Sequence, residues 1–344
     1  MWNNIVKKNR IGMILLIKLC LIVQLCWTVL FFASCSSAPK RPAEIFTIQS
    51  MVETNITLAN READHGNFTQ ALSILDEAWR LAVTTDRPAL RIRVNLSRAN
   101  AHHALGWTAE AERLWQEAEQ EANAAGEQVL ASVSRIYRAR SMLLAGTMNP
   151  REVLNLTLRE QNILRKDRLF SALNWTVKGI AEKEMGRYAD AERSIMNALT
   201  IHEKDRYLEQ AAYDWYLIAS VRSVAGNYAG AIEALDNALG FDRRAENTFG
   251  LAMTWTAKGE VYRNMGDEEN AAQAWRRSAA IFRAMDRQAD AREVEARIRK
   301  GRRSNIPRRN PEWEEDWAEE EEAQEGRRWW RRDRENERDN DNES

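Results

Sequence analysis

The sequence predicts an all-α solenoid of six helix-turn-helix repeats with a 40-residue period, ending in a disordered, charged C-terminal tail. Three observations predict it. Gly66, Gly106, Gly146, Gly186, Gly226 and Gly266 are each 40 residues apart, a beat that only a repeated unit keeps. Ala59, Ala99, Ala139, Gly179, Ala219 and Gly259 hold the same register seven residues earlier, and Trp175, Trp215 and Trp255 lie eleven residues before the last three glycines. Helical periodicity then runs on to Lys300, interrupted by Pro88 and Pro150, with no alternating β-branched stretch to read as a sheet.

The chain opens differently. Lys7, Lys8 and Arg10 precede an almost wholly apolar run from Ile11 to Phe32, which ends in Phe32-Ala33-Ser34-Cys35. Charged, apolar and small-residue segments in that order make an export signal. The Phe-Ala-Ser-Cys ending resembles a bacterial lipobox, with Phe32 where leucine is usual. That resemblance implies a signal peptide over residues 1–34, lipidation of Cys35, and, with Ser36 following, sorting to the outer membrane of a bacterial envelope. An uncleaved anchor and an ordinary cleaved signal are the competing readings; Lys18 in mid-run is costly for a permanent span. All three export the repeats. The cysteines are Cys20, Cys26 and Cys35, so the exported body is expected to carry no disulfide and no cofactor beyond the lipid. Residues 35–47, with Pro39 and Pro42, read as a flexible tether.

Residues 48–300 form the predicted solenoid, with repeats near 52–91, 92–131, 132–171, 172–211, 212–251 and 252–291 and a helical extension after them. Its mean hydropathy context is soluble: 29% of the chain is charged and the mean hydropathy is -0.58. The sixth copy is clearest, with Trp255, Lys258, Gly259, Tyr262, Gly266, Ala271 and Trp275. Those residues resemble a tetratricopeptide repeat (TPR), with Lys258 in place of the usual leucine. Gly66-Asn67-Phe68, Gly186-Arg187-Tyr188 and Gly226-Asn227-Tyr228 repeat the glycine-to-aromatic step. Small residues at Ala59, Gly179, Ala71 and Ala191 are expected to bring paired helices close, and Phe68, Tyr188 and Tyr228 to fill the gap beside the next unit. Because one helix pair cannot bury both apolar faces, each unit leans on its neighbours.

Copy three departs from the pattern. Strict counting puts Arg151 and Asn155 at inward positions, whereas Asn149-Pro150-Arg151-Glu152 reads as an N-cap, a first-turn proline and a capping acid. A late second helix is therefore expected, with Val153, Leu156 and Leu158 inward, and with it a wider joint dividing copies one and two from copies four to six. After Gly301 aliphatic residues almost vanish, and an acidic run from Glu312 to Glu325 precedes Arg327-Arg328-Trp329-Trp330-Arg331-Arg332. Residues 301–344 are too charged to fold alone. Trp329 and Trp330 among arginines form a candidate docking point for an anionic surface.

Catalytic and metal-binding patterns are missing from the sequence. His65, His102, His103 and His202 include no pair at helical ligand spacing and no cysteine partner, and no phosphate loop or nucleophile elbow occurs, so no enzyme activity and no metal site are expected. Loss of Lys7, Lys8, Arg10 and Lys18 with the signal takes the net charge from -1 to -5, which argues against nucleic acid. TPR arrays work through the groove lined by their first helices, and the resemblance places Asn60, Arg93, Asn100, His103, Arg140, Tyr213, Tyr216 and Arg263 there. It also places Ile56, Leu96 and Ile136 on that face. Arg and Asn in adjacent repeats suit a peptide main chain or carboxylate. The expectation is a membrane-anchored scaffold that holds a protein or peptide of the cell envelope. A surface adhesin, an envelope hydrolase or its catalytic partner, and a self-associating homodimer are the alternatives.

Overall fold

A computed structural model of the chain describes residues 47–304. They form thirteen helices: α1 (Thr47–Asp64), α2 (Phe68–Thr84), α3 (Pro88–Ala104), α4 (Thr108–Ala124), α5 (Gln128–Leu144), α6 (Pro150–Leu164) and α7 (Arg168–Glu184), then α8 (Tyr188–Asp205), α9 (Leu208–Val224), α10 (Tyr228–Ala245), α11 (Thr248–Asn264), α12 (Glu268–Ala284) and α13 (Gln288–Ser304). Among the described residues there is no strand. Odd-numbered helices through α11 are the first helices of the six units, even-numbered ones the second, and α13 is the extension. None of the described helices is long and apolar enough to cross a membrane.

The glycine beat is a capping beat. All six glycines have φ between 70° and 82°. The residue after each donates its N–H back to the carbonyl five residues earlier, as in Trp107 to His102 at 2.9 Å and Asn227 to Arg222 at 2.8 Å. This is the Schellman arrangement, which closes a helix by satisfying its last carbonyls and needs a left-handed residue at the turn. The structure reveals a second beat that the sequence hid. Asp86, Gly126, Arg206, Glu246 and Asp286, at the turns between units, also have positive φ, and only one of them is glycine. A non-glycine residue there gives up about 1–2 kcal/mol, so packing between units overrides the local preference.

Small residues set the spacing within a unit. A Cβ on Gly179 would lie 2.5 Å from Ile195, and one on Gly259 2.4 Å from Trp275. Both helices therefore approach until the partner side chain touches backbone. Trp275 is fully buried there and donates its indole N–H to the Thr256 carbonyl at 3.2 Å.

Copy three has the late second helix. Asn149 caps α6 by accepting from the Arg151 N–H, with Pro150 in the first turn, and Val153 and Leu156 are buried. Leu158 is not inward: it is 48% exposed, and Leu164 fills the core instead. The expected division of the array is also absent. One apolar cluster runs unbroken from Ile92 on α3 through Val153, Leu156 and Leu164 on α6 to Val261 on α11. The delayed start leaves an open cavity of about 390 Å³, lined by Leu143, Gly146, Thr147, Met148, Asn149, Pro150 and Glu184.

Breaks in the core fall at the two ends. Copy one has its own cluster, from Val52, Ile56 and Ala59 to Leu90 and Val94, and α11 to α13 have another around Ala252, Trp275 and Phe282. These ends meet. Phe68, expected to fill the gap beside copy two, packs edge-on against Phe249 of α11 with ring centroids 5.7 Å apart. The Arg287 guanidinium stands 5.6 Å from the Phe68 ring and 4.8 Å from the Phe249 ring, and it donates to the Gly66 carbonyl at 3.2 Å. The first turn of the array is thus bound to its last two turns.

Candidate functional site

Of the expected groove positions, Ile56, Leu96 and Ile136 turn out to be core: all three are buried. Ile56 joins the cluster with Leu75 of α2, and Leu96 and Ile136 join the one with Leu114 of α4. The polar positions beside them stay accessible, and five of the eight form one connected patch.

That patch is built from α3, α4, α5 and α9. Tyr213 and Tyr216, three residues apart on α9, stack with centroids 6.2 Å apart and planes 11° from parallel. Arg140 of α5 reaches past the intervening unit, donating to the Tyr213 hydroxyl at 3.3 Å with its guanidinium 5.2 Å from that ring. First helices two units apart therefore touch across the inner face. Arg140 and Asn100 also stand near the Tyr137 hydroxyl and oppose the upward push of burial on that phenol. Tyr137 stacks at 6.4 Å on Trp115, which lies 5.6 Å from His103.

Two cations act on the patch: Arg297, which is paired with Glu260 and Glu293 and acts on the Tyr216 phenol, and Arg140, which stands among neutral donors. Burial pushes the His103 imidazole down from its ordinary value, and the neighbouring Arg140 adds to this, so His103 is neutral at pH 7. Burial pushes the Tyr137 and Tyr216 phenols up, which keeps both as O–H donors. Arg140 has no carboxylate within ion-pair distance among the described residues. The Trp115 indole N–H is buried and lacks an acceptor there too. Guanidinium, phenol and amide donors beside flat aromatic rings suit main-chain carbonyls and carboxylates.

The remaining three predicted residues lie apart from this patch. Arg93 pairs with Glu53 at 3.5 Å. Arg263 is bound to Glu260, which also binds Arg297 of α13, and its guanidinium lies 5.4 Å from the Trp275 ring. Asn60 is exposed and makes no hydrogen bond to a described residue. Cys35, Trp329 and Trp330 lie outside the described residues. Sequence reasoning missed Trp115, Tyr137 and Arg297. Trp115 belongs to a second helix and Tyr137 sits one position past the register counted for the groove; the 40-residue glycine beat ends at Gly266, before α13, so it could not place Arg297.

Buried polar clusters elsewhere serve the packing. His202 Nδ1 is 2.6 Å from Asp214, which also accepts from Thr176 at 3.1 Å. Forty residues on, Asp242 accepts from Thr254 at 3.1 Å and from Asn247 at 2.9 Å. Glu160 takes Arg135 and Ser132, and Glu182 takes Lys178 and Ser194. Each joins adjacent helices, and among the described residues no group of three or more potential ligands could hold a metal ion.

No family model and no curated protein matches the chain. Solved structures do. A Rap protein complexed with Competence and Sporulation Factor has a TM-score of 0.51 at 13% identity, over 74% of this chain and 75% of that one. The apo form of RapI has a TM-score of 0.45 at 12% identity, over 73% of this chain and 97% of that one. PilW, a type IV pilus biogenesis factor, has 0.40 at 15%, over 70% and 97%. With the helix pairs, the capping beat and the small-residue contacts above, the likeness to the Rap protein makes the fold a TPR-like α-solenoid.

Proposed function

We propose that the chain is a lipid-anchored scaffold of the bacterial cell envelope that holds an extended segment of a partner protein against the inner face of its first helices. The observation that carries this reading is the patch of Asn100, His103, Tyr137, Arg140, Tyr213 and Tyr216, where one cation without a carboxylate partner sits among neutral donors and aromatic faces. Contact between Arg140 and Tyr213, two units apart, leaves little width for a helix and favours an extended chain, whose carbonyls and carboxylates match the donors. The Rap protein of similar fold is a complex with Competence and Sporulation Factor, so such an array can carry a ligand. The anchor is Cys35, on the strength of its lipobox-like context, and the outer membrane is the proposed location.

Photo-crosslinking in intact cells tests the groove. A benzoylphenylalanine in place of Tyr216 should capture one envelope protein, and the same probe at exposed Thr200 on α8 should not. Capture of the same set from both positions would refute the assignment of the inner face. Capture of a second copy of this chain would mean that the groove serves self-association.

A further inference from the structure

The contact between the two ends of the array is more than a packing detail, because it joins acids as well as rings. Asp64 is the last residue of α1, and its carboxylate faces Glu209 at the start of α9 and Asp242 near the end of α10. Asp242 is 2% exposed and tied by Thr254 and Asn247 to α11. The other charged groups here are His65 beside Asp64, Arg243 beside Asp242, and Arg287, whose charge is already met by Asp290 at 2.8 Å. Buried Asp242 and the half-buried Asp64 and Glu209 thus share one seam, and among the described residues no cation is paired with Asp64.

We propose that this seam is a pH-responsive latch: it stays closed while Asp64 and Asp242 are protonated, and it parts when their ionised carboxylates face each other and Glu209. Burial first, and then repulsion from Glu209, raise both Asp64 and Asp242 to about 7, with Asp242 adding to the effect on Asp64, which puts the change near neutrality. Asp242 is held by its own hydrogen bonds, so Asp64 is the group that leaves. The apolar cluster of copy one meets copy two at Leu90, Val94 and Ala101 of α3 and stops short of the main core, so parting the seam leaves the core through copies two to five closed. Parting the seam frees the first turn from Phe249, Met285 and Arg287 and widens access to the inner face. That consequence for a partner rests on the function proposed above; the latch itself does not.

Hydrogen exchange of the intact chain, with no ligand added, tests the latch independently of any partner. After correction for intrinsic rates, protection of the peptides carrying Gly66 to Phe68 and Met285 to Arg287 should fall at least about tenfold between pH 5 and pH 8, since releasing one proton on opening shifts the equilibrium about tenfold per pH unit. Asp64→Asn, which mimics the protonated acid, should keep these peptides protected at pH 8, and Arg287→Ala should lose protection at both pH values. Equal protection of the wild-type seam at the two pH values would overturn the proposal, even if a variant failed to fold. So would an Asp64→Asn chain that keeps the wild-type pH dependence.

Discussion

Two glycines inside helices should respond to the same substitution with opposite signs. Gly259 of α11 faces the Trp275 indole, and a Cβ there would lie 2.4 Å from Nε1, 2.5 Å from Cδ1 and 2.7 Å from Cε2. Real side chains do not come so near, so the indole must shift, although it is fully buried and fixed by its bond to the Thr256 carbonyl. Overpacking of this kind costs about 1–3 kcal/mol, and weakening the bond costs about 1 kcal/mol more. The better helix propensity of alanine returns about 1 kcal/mol, leaving Gly259→Ala destabilising by about 1–3 kcal/mol. Gly240 of α10 has no atom within 4 Å of where its Cβ would stand, so Gly240→Ala keeps the propensity gain and should stabilise by about 0.5–1 kcal/mol. Thermal and urea unfolding of both variants beside the wild type is the assay. Solenoids can unfold in steps, so the comparison rests on the transition that includes α11 and α12, followed by the exposure of Trp275. If Gly259→Ala stabilises as Gly240→Ala does, the helix pair is not packed through the glycine as described.

Gly226→Ala forces alanine to φ +82° and should cost about 1 kcal/mol or more, read as a lower melting temperature. Burial raises Asp64 and Asp242 from the ordinary carboxylate range to about 7, so the folded state holds protons that the unfolded state releases; stability should decline as pH rises from about 4 to about 7 and level off above. A melting temperature that climbs across that range would contradict it. Asp214→Val leaves His202 buried without its acceptor and should cost about 3–5 kcal/mol, whereas His202→Phe with Asp214→Val, copying Phe282 and Val294, should recover most of it, as a double-mutant cycle in thermal unfolding would show. Cys35→Ala should abolish lipid labelling and leave the precursor uncleaved; normal processing would refute the anchor.

Much of the fold could be read from the sequence because its signals are local. A left-handed residue closing a helix is usually glycine, and it is glycine at every turn within units, so those turns appear in the sequence as a beat. The turns between units use the same backbone geometry with Asp86, Arg206, Glu246 and Asp286, residues that announce nothing. Small side chains at Ala59 or Gly259 marked the helix contacts, but nothing local marked the meeting of Gly66 with Arg287, which are 221 residues apart. The candidate site was half legible for the same reason. Counting placed Asn100, His103, Arg140, Tyr213 and Tyr216 on one helix face, while their joining across two units depends on how tightly successive pairs are coiled, and spacing does not encode that.

Repeated units raise a problem that the buried polar pairs answer. If every junction were apolar and alike, one copy could dock against another out of order at little cost. The junction position on the second helices reads Ala82, Ala122, His202, Asp242 and Phe282 in regular copies, and its partners on the next first helix are Val94, Ser134, Asp214, Thr254 and Val294. Apolar pairs therefore hold the two ends, Ala122 faces a serine that bonds to its own helix, and two different polar pairs, His202–Asp214 and Asp242–Thr254, hold the junctions of copies four, five and six. His202 in place of Asp242 would meet Thr254 and leave a ring nitrogen without its carboxylate, and Asp242 in place of His202 would set one buried carboxylate against Asp214. Each mistake buries an unpaired polar group or two like charges, which costs several kcal/mol. The pairs add little to stability compared with apolar residues of the same size, so their contribution lies in fixing the order of copies four, five and six. That order is what brings α11 and α13 round to Gly66 and Phe68, and so makes the seam between the ends possible.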